Sequence, residues 1–264
     1  MSKNLTKLTR RDFLLKTGAT TAGAFFGNTL FAHALPEKRP IIINPKIAII
    51  LDDIGYNFSH IKPFLELDVP ITFSILPRIH HSRKLAGIIN DEGHEIMLHQ
   101  PMEPYNSLLN PGPGALYLSQ NVEEVHKTVK ENIMSFPFAV GVNNHMGSLF
   151  TESKQKVLET LEVFKTKEFF FIDSVTSRNS HAFITAKNMN MKTASRNIFI
   201  DNQNNKTSIC RQLSKLKKHA LKFGSAIGIA HPRQETACAM AEFFYSGEAE
   251  DLSVKYISEI LDVS

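Results

Sequence analysis

The chain has 264 residues, 42% of them hydrophobic, with 30 basic and 26 acidic side chains and a formal net charge of +4. Lys3, Lys7, Arg10, Arg11 and Lys16 against Asp12 give residues 1–34 that entire charge, so the remainder is formally neutral and the pI near 8.9 gives no support for a nucleic-acid partner. The two cysteines lack the spacing of a thiolate metal site or a C-x-x-C redox pair, which disfavours a thiol oxidoreductase.

In chain order, Thr9-Arg10-Arg11-Asp12-Phe13-Leu14-Leu15-Lys16 reads as a twin-arginine signal. A weakly apolar stretch over 17–30, too short and polar to span a bilayer, leads to Ala32-His33-Ala34, an A-x-A cleavage site. This predicts a signal peptide over residues 1–34 and a single exported domain over 35–264, periplasmic or extracellular, with no later apolar run able to cross a membrane. About 230 residues are enough for one core.

After a Pro-containing lead, the Ile-rich run 47–51 reads as a strand buried on both faces and ends in Asp52-Asp53. Further strand candidates lie at 71–76, 95–98, 139–142, 169–172, 191–194 (weak) and 226–230. Helical periodicity separates them. Val125, Val129 and Ile133 share a face of 122–134, with Asn121 and Glu124 as a capping pair. Val157, Leu158, Leu161 and Phe164 share one of 151–164, started by Ser153 or Thr151. Ile209, Leu213, Leu216 and Leu221 oppose a solvated lysine face in 206–223. The loop 106–118, with Pro111-Gly112-Pro113-Gly114, is the longest break and is expected beside the site. Seven strands alternating with helices predict an α/β fold with a mostly parallel sheet.

Polar residues follow one strand candidate after another: Asp52 and Asp53, then His99, Asn143-Asn144-His145, Asp173 and His231. Parallel strands in a barrel would bring these to one rim, where α/β enzymes keep their chemistry. Each has a plainer reading. Asp52-Asp53 is open to a helix cap, His99 to a turn, His145 to a buried histidine in a tight turn, and His231 to the start of the next helix. His80, His81, His94 and His126 receive no function. Cys210 and Cys238, both in predicted helices, are open either to a disulfide or to two small buried residues.

The blocks LDDIG (51–55), TFSILP (72–77), GHEIMLHQPMEP (93–104), NNHMGS (143–148), FFIDSVTS (170–177), SRNIFIDN (195–202) and AHPRQET (230–236) together resemble the divergent polysaccharide deacetylase family. The resemblance implies a distorted (β/α) barrel of about seven mostly parallel strands and a metal-dependent hydrolase removing acetyl groups from a glycan. By the motifs of the wider family, Asp52 maps to a catalytic base, Asp53 and His99 to metal ligands, and His231 to a histidine acid. The wider family's second metal-binding histidine falls on Glu103. The resemblance therefore leaves His145 as the preferred third ligand and Glu103 as its rival. Asp173, Arg196 and Asp201 match later blocks. Arg196 is open to orienting Asp52 or binding substrate, and all three are open to structural ion pairing or turn-making. An Asp oxygen with two imidazoles suits zinc as the divalent metal. The competing reading is a non-catalytic metal- and glycan-binding envelope protein on the same fold. With no Trp, sugar stacking would fall to Tyr56, Tyr105 and Tyr117.

Overall fold

The structure is a computed structural model that describes residues 44–261. The twin-arginine segment, the Ala32-His33-Ala34 site and most of the lead that follows lie outside the described residues. Within them the order is β1 (Lys46–Ile54), α1 (Phe58–Leu65), β2 (Thr72–Ile75), α2 (Ser82–Asp91), β3 (Glu95–Met102), α3 (Val122–Met134), β4 (Ala139–Met146), α4 (Lys154–Lys165), β5 (Phe170–Asp173), α5 (Ala182–Asn188), β6 (Thr193–Ser195), β7 (Ile198–Phe199), α6 (Lys206–Phe223), β8 (Ser225–Ala230), α7 (Gln234–Tyr245) and β9 (Ser253–Val254).

The strands form one curled parallel sheet in the order β6-β5-β4-β3-β2-β1-β8-β7, with β9 added to the start of β1. Its two edge strands are consecutive in the chain. Ser195 pairs with Asp173 of β5 and the Arg196 N–H donates to the Asp173 carbonyl, but one residue later the Asn197 N–H donates to Ile227 of β8. A single segment thus changes partner at 196–197 and closes a distorted (β/α) barrel.

Period-two alternation divides the core into two layers. Ile47, Ile49 and Leu51 of β1 face the helices, whereas Ala48 and Ile50 face the barrel interior with Met97, Phe170, Ile172, Ile227 and Ile229. Ile257 and Leu261, from the segment after β9, join that inner cluster. Gly141 of β4 has a packing reason, because a Cβ there would lie 2.2 Å from the Phe170 ring. Its absence lets the ring fill the barrel.

The helices start on the expected caps. Asn121 and Glu124 make a reciprocal capping box on α3, and Ser153 caps α4. The α6 stripe is Ile209, Leu213, Leu216 and Ala220; Leu221, expected on it, is 41% exposed because the i, i+4 step from Leu216 falls on Ala220. The weak strand at 191–194 appears as β6, shifted toward Ser195. β7 and β9, of two residues each, are too short to show alternation.

Cys210 on α6 and Cys238 on α7 are both unbridged. Lys206–Glu242 at 2.6 Å joins the start of α6 to the end of α7, and Lys217–Asp251 at 2.5 Å joins α6 further along to the segment after α7, so the two stretches run in the same direction. Cys210 therefore sits one turn beyond the Lys206–Glu242 level and Cys238 one turn before it, which argues against a disulfide. Among the described residues, no helix is long and apolar enough to cross a membrane.

Candidate metal centre

The inner rows of several strands continue past their apolar residues into polar ones at the C-terminal rim. On β1 the row Ala48, Ile50 continues to Asp52, on β3 Met97 leads to His99, and on β8 Ile227 and Ile229 lead to His231. Strict alternation would send Asp53 to the helix layer with Leu51. Instead the β1–β2 register slips between Leu51 and Ile54, and Asp53 takes a left-handed φ of 61°. The slip and the turn bring two consecutive carboxylates into one pocket. Such strain is tolerated by Asp better than by most residues, and it gathers where function requires it. Met146 (φ 50°) and the β-branched Val175 (φ 51°), both lining the same pocket, are strained likewise.

The pocket has a volume of about 450 Å³. On one side Asp53 Oδ1 lies 2.9 Å from His145 Nδ1 and 3.2 Å from His99 Nε2, and the two ring nitrogens are 3.2 Å apart. Although so close, Asp53 Oδ1 is buried without a hydrogen bond of acceptable angle. Three donor atoms within 4.8 Å of one another, one an orphaned buried oxygen, fit a shared cation better than they fit one another. Asp53, His99 and His145 thus form a site compatible with a divalent metal. Burial alone would raise the Asp53 pKa, but His145 and His99 hold it well below the carboxylate range.

Asp52 lies behind this set, with Oδ2 3.7 Å from His99 Nε2 and Oδ1 accepting from Asn143 Nδ2 at 2.8 Å. Burial pushes its pKa up, against the lowering effect of His99 and His231. His231 faces the set from across the pocket, its Nε2 3.7 Å from Asp53 Oδ2. Its Nδ1 lies 2.9 Å from Asp201 Oδ1, while Asp201 Oδ2 accepts from the His231 N–H and from Thr236 Oγ1. Burial works to lower the His231 pKa, but the hydrogen bond and charge of Asp201, with Asp52 and Asp53 beyond, leave it raised.

Three other candidates are placed differently from one another. Glu103 is not in the pocket: Oε2 accepts from the Leu118 N–H at 2.7 Å and holds the end of the 106–118 loop. Asp173 belongs to the row of Phe171, which faces the helices, and its carboxylate accepts from Val175 N–H, Ser180 Oγ and Phe183 N–H around the start of α5. Arg196 lines the pocket at the barrel seam, donating to the Ser174 and Val175 carbonyls and lying 5.0 Å over the Phe199 ring. Its influence on Asp52 is through charge, without a direct hydrogen bond.

The His145 segment is strand rather than the expected tight turn. β4 runs on to Met146, pairing Asn143 with His99 and His145 with Pro101. The turn begins only at Met146 and Gly147, where φ becomes positive.

The profile of a family described as divergent polysaccharide deacetylase matches residues 49–261. The uncharacterized protein YibQ of Escherichia coli is 31% identical over 222 residues, which cover 82% of this chain and 67% of YibQ. In fold, the crystal structure of the uncharacterized protein ATU2773 of Agrobacterium tumefaciens is similar with a TM-score of 0.77 at 21% identity, covering 82% of this chain and 89% of the other. BA3943 of Bacillus anthracis, described as a CE4 family pseudoenzyme, is similar with a TM-score of 0.53 at 14% identity, covering 84% of this chain and 66% of its own.

Proposed function

This chain belongs to the divergent polysaccharide deacetylase family, and from that premise we propose that it is an exported, zinc-dependent hydrolase that removes acetyl groups from an envelope or extracellular polysaccharide. The observation that supports the reading is the division of labour in one pocket: a three-donor set of Asp53, His99 and His145, flanked by a buried carboxylate, Asp52, and a histidine, His231.

Asp53, His99 and His145 would hold the divalent ion, which would supply Lewis acidity toward an acyl oxygen and a bound water. Asp52, buried and steadied by Asn143, accepts the proton of the attacking water. His231 has Nδ1 committed to Asp201, so Nε2 faces the pocket and donates to the departing amine or alcohol. Phe199, Ile229 and Val175 give the pocket an apolar wall beside these groups. The twin-arginine reading of residues 9–16 supports export.

The test is metal content of wild type and Asp53→Asn, with acetate release from acetylated glycans by wild type and Asp52→Ala. Asn tolerates the left-handed conformation at position 53, so that variant keeps the fold while losing the charge. The reading expects metal in wild type only, and acetate release that depends on Asp52. Metal without Asp52-dependent release would favour the non-catalytic binding protein, and no metal in wild type would overturn both.

A further inference from the structure

Asn143 sits where four polar side chains meet, and every hydrogen-bonding position of its amide is used. Nδ2 donates to Asp52 Oδ1 at 2.8 Å and to Ser174 Oγ at 3.3 Å. Oδ1 accepts from Ser74 Oγ at 2.5 Å and lies 2.7 Å from His99 Nδ1. The residue is fully buried, and so are Asp52, Ser74 and His99.

The orientation of the amide follows from its neighbours. A carboxylate accepts and does not donate, so the NH₂ end must face Asp52; the reverse orientation would set two acceptor oxygens 2.8 Å apart. The carbonyl end then faces His99. That oxygen also only accepts, so His99 Nδ1 must carry a proton, and whenever the ring is neutral Nε2 is the bare nitrogen, directed toward Asp53 and His145. An imidazole that binds a metal needs this state, and its other nitrogen commonly donates to a fixed acceptor.

We propose that Asn143 is a positioning residue that ties the proposed base to the proposed ligand: by donating to Asp52 it is obliged to accept from His99, and so selects the His99 tautomer able to bind metal. The inference deepens the metal reading above. Asp52 therefore serves the ligand set before any chemistry, by fixing which way the amide between them points.

The test reads the tautomer directly. In metal-free, ¹⁵N-labelled protein, at a pH high enough to keep His99 neutral, long-range ¹H–¹⁵N correlation should show Nδ1 protonated and Nε2 bare, with the signals assigned by their loss in His99→Gln. In Asn143→Leu, of similar size, that preference should be lost. Zinc affinity, measured by chelator competition on protein with an unchanged circular dichroism spectrum, should fall about 10- to 100-fold. Asn143→Asp keeps an acceptor toward His99 and should keep the tautomer; it serves as the second variant if Asn143→Leu fails to fold. A wild-type His99 protonated at Nε2 would overturn the proposal. So would a folded Asn143→Leu with unchanged tautomer and zinc affinity, or an Asn143→Asp that loses the tautomer. A wild type that shows the Nδ1–H tautomer yet binds no zinc would defeat the proposed function while leaving the role of Asn143 standing.

Discussion

Asp201 holds His231 at two points, accepting from the backbone N–H at 2.8 Å with one oxygen and meeting ring Nδ1 at 2.9 Å with the other. The double grip fixes both the position of the residue and the rotation of its ring. In Asp201→Asn one oxygen becomes an NH₂ group that competes for these contacts. Deacetylation should fall about 100-fold, within the range that general acid catalysis contributes, while zinc content stays at the wild-type level. Steady-state rates with metal analysis on the same samples check this, and unchanged rates would remove His231 as the acid.

Glu103 and His145 make opposite predictions. His145→Ala removes a donor of the three-atom set and should weaken zinc binding by more than about 100-fold, beyond the loss usually seen for groups around a ligand. Glu103→Gln only exchanges the acceptor of the Leu118 N–H, so chelator competition should find wild-type affinity. The reverse pattern would restore Glu103 as the ligand.

His94 gives the fold an acid limb. Its ring packs edge-on against Phe73 with centroids 5.1 Å apart, and burial lowers its pKa below the ordinary value of about 6.5. The unfolded chain therefore takes up this proton first as pH falls. Stability contributed here is present above about pH 6.5 and is lost below it. His99 and His231, with raised pKa values, act in the opposite sense. Going from pH 7.5 to 5.5, the melting temperature of His94→Phe should shift upward relative to the shift of wild type; an equal shift would dismiss the effect.

Gly141→Ala places a methyl group inside the Phe170 ring. Overpacking of this kind costs about 1–3 kcal/mol, and because the ring fills the barrel interior the loss should appear in denaturant unfolding. Phe170→Leu added to Gly141→Ala should recover part of it.

Cys210 and Cys238 should both titrate as free thiols in denatured, unreduced protein that has been exposed to an oxidant, since helix register sets them at different levels. A single bridged species by mass would show that the helices slide.

Much of this arrangement was legible in the sequence. Ile-rich and Phe-rich runs announce buried parallel strands, and acids and histidines following them announce a rim. Strand alternation carries more than the run ends alone. Counting by twos places Asp52, His99, Asn143, His145 and His231 on the inner rows, and Asp173 on the row facing the helices. That count would have singled out Asn143 and separated Asp173 from the site. Asp53 was legible only by analogy, since alternation points it the wrong way and its left-handed turn depends on a register slip against β2. The grip of Asp201 on His231 was equally hidden, because it joins residues 30 positions apart.

The partner exchange at residues 196–197 makes one short piece of chain serve both as barrel closure and as pocket wall, through Arg196 and Phe199. Architecture and recognition are mechanically inseparable there. Parting the barrel along this line pulls Arg196, held on the β5 side, away from Phe199, paired with β8, whereas the ligand set on β1, β3 and β4 does not span the break. On the function proposed above, heating in steps should therefore abolish acetate release before metal is lost, which activity and metal content of the same samples would check.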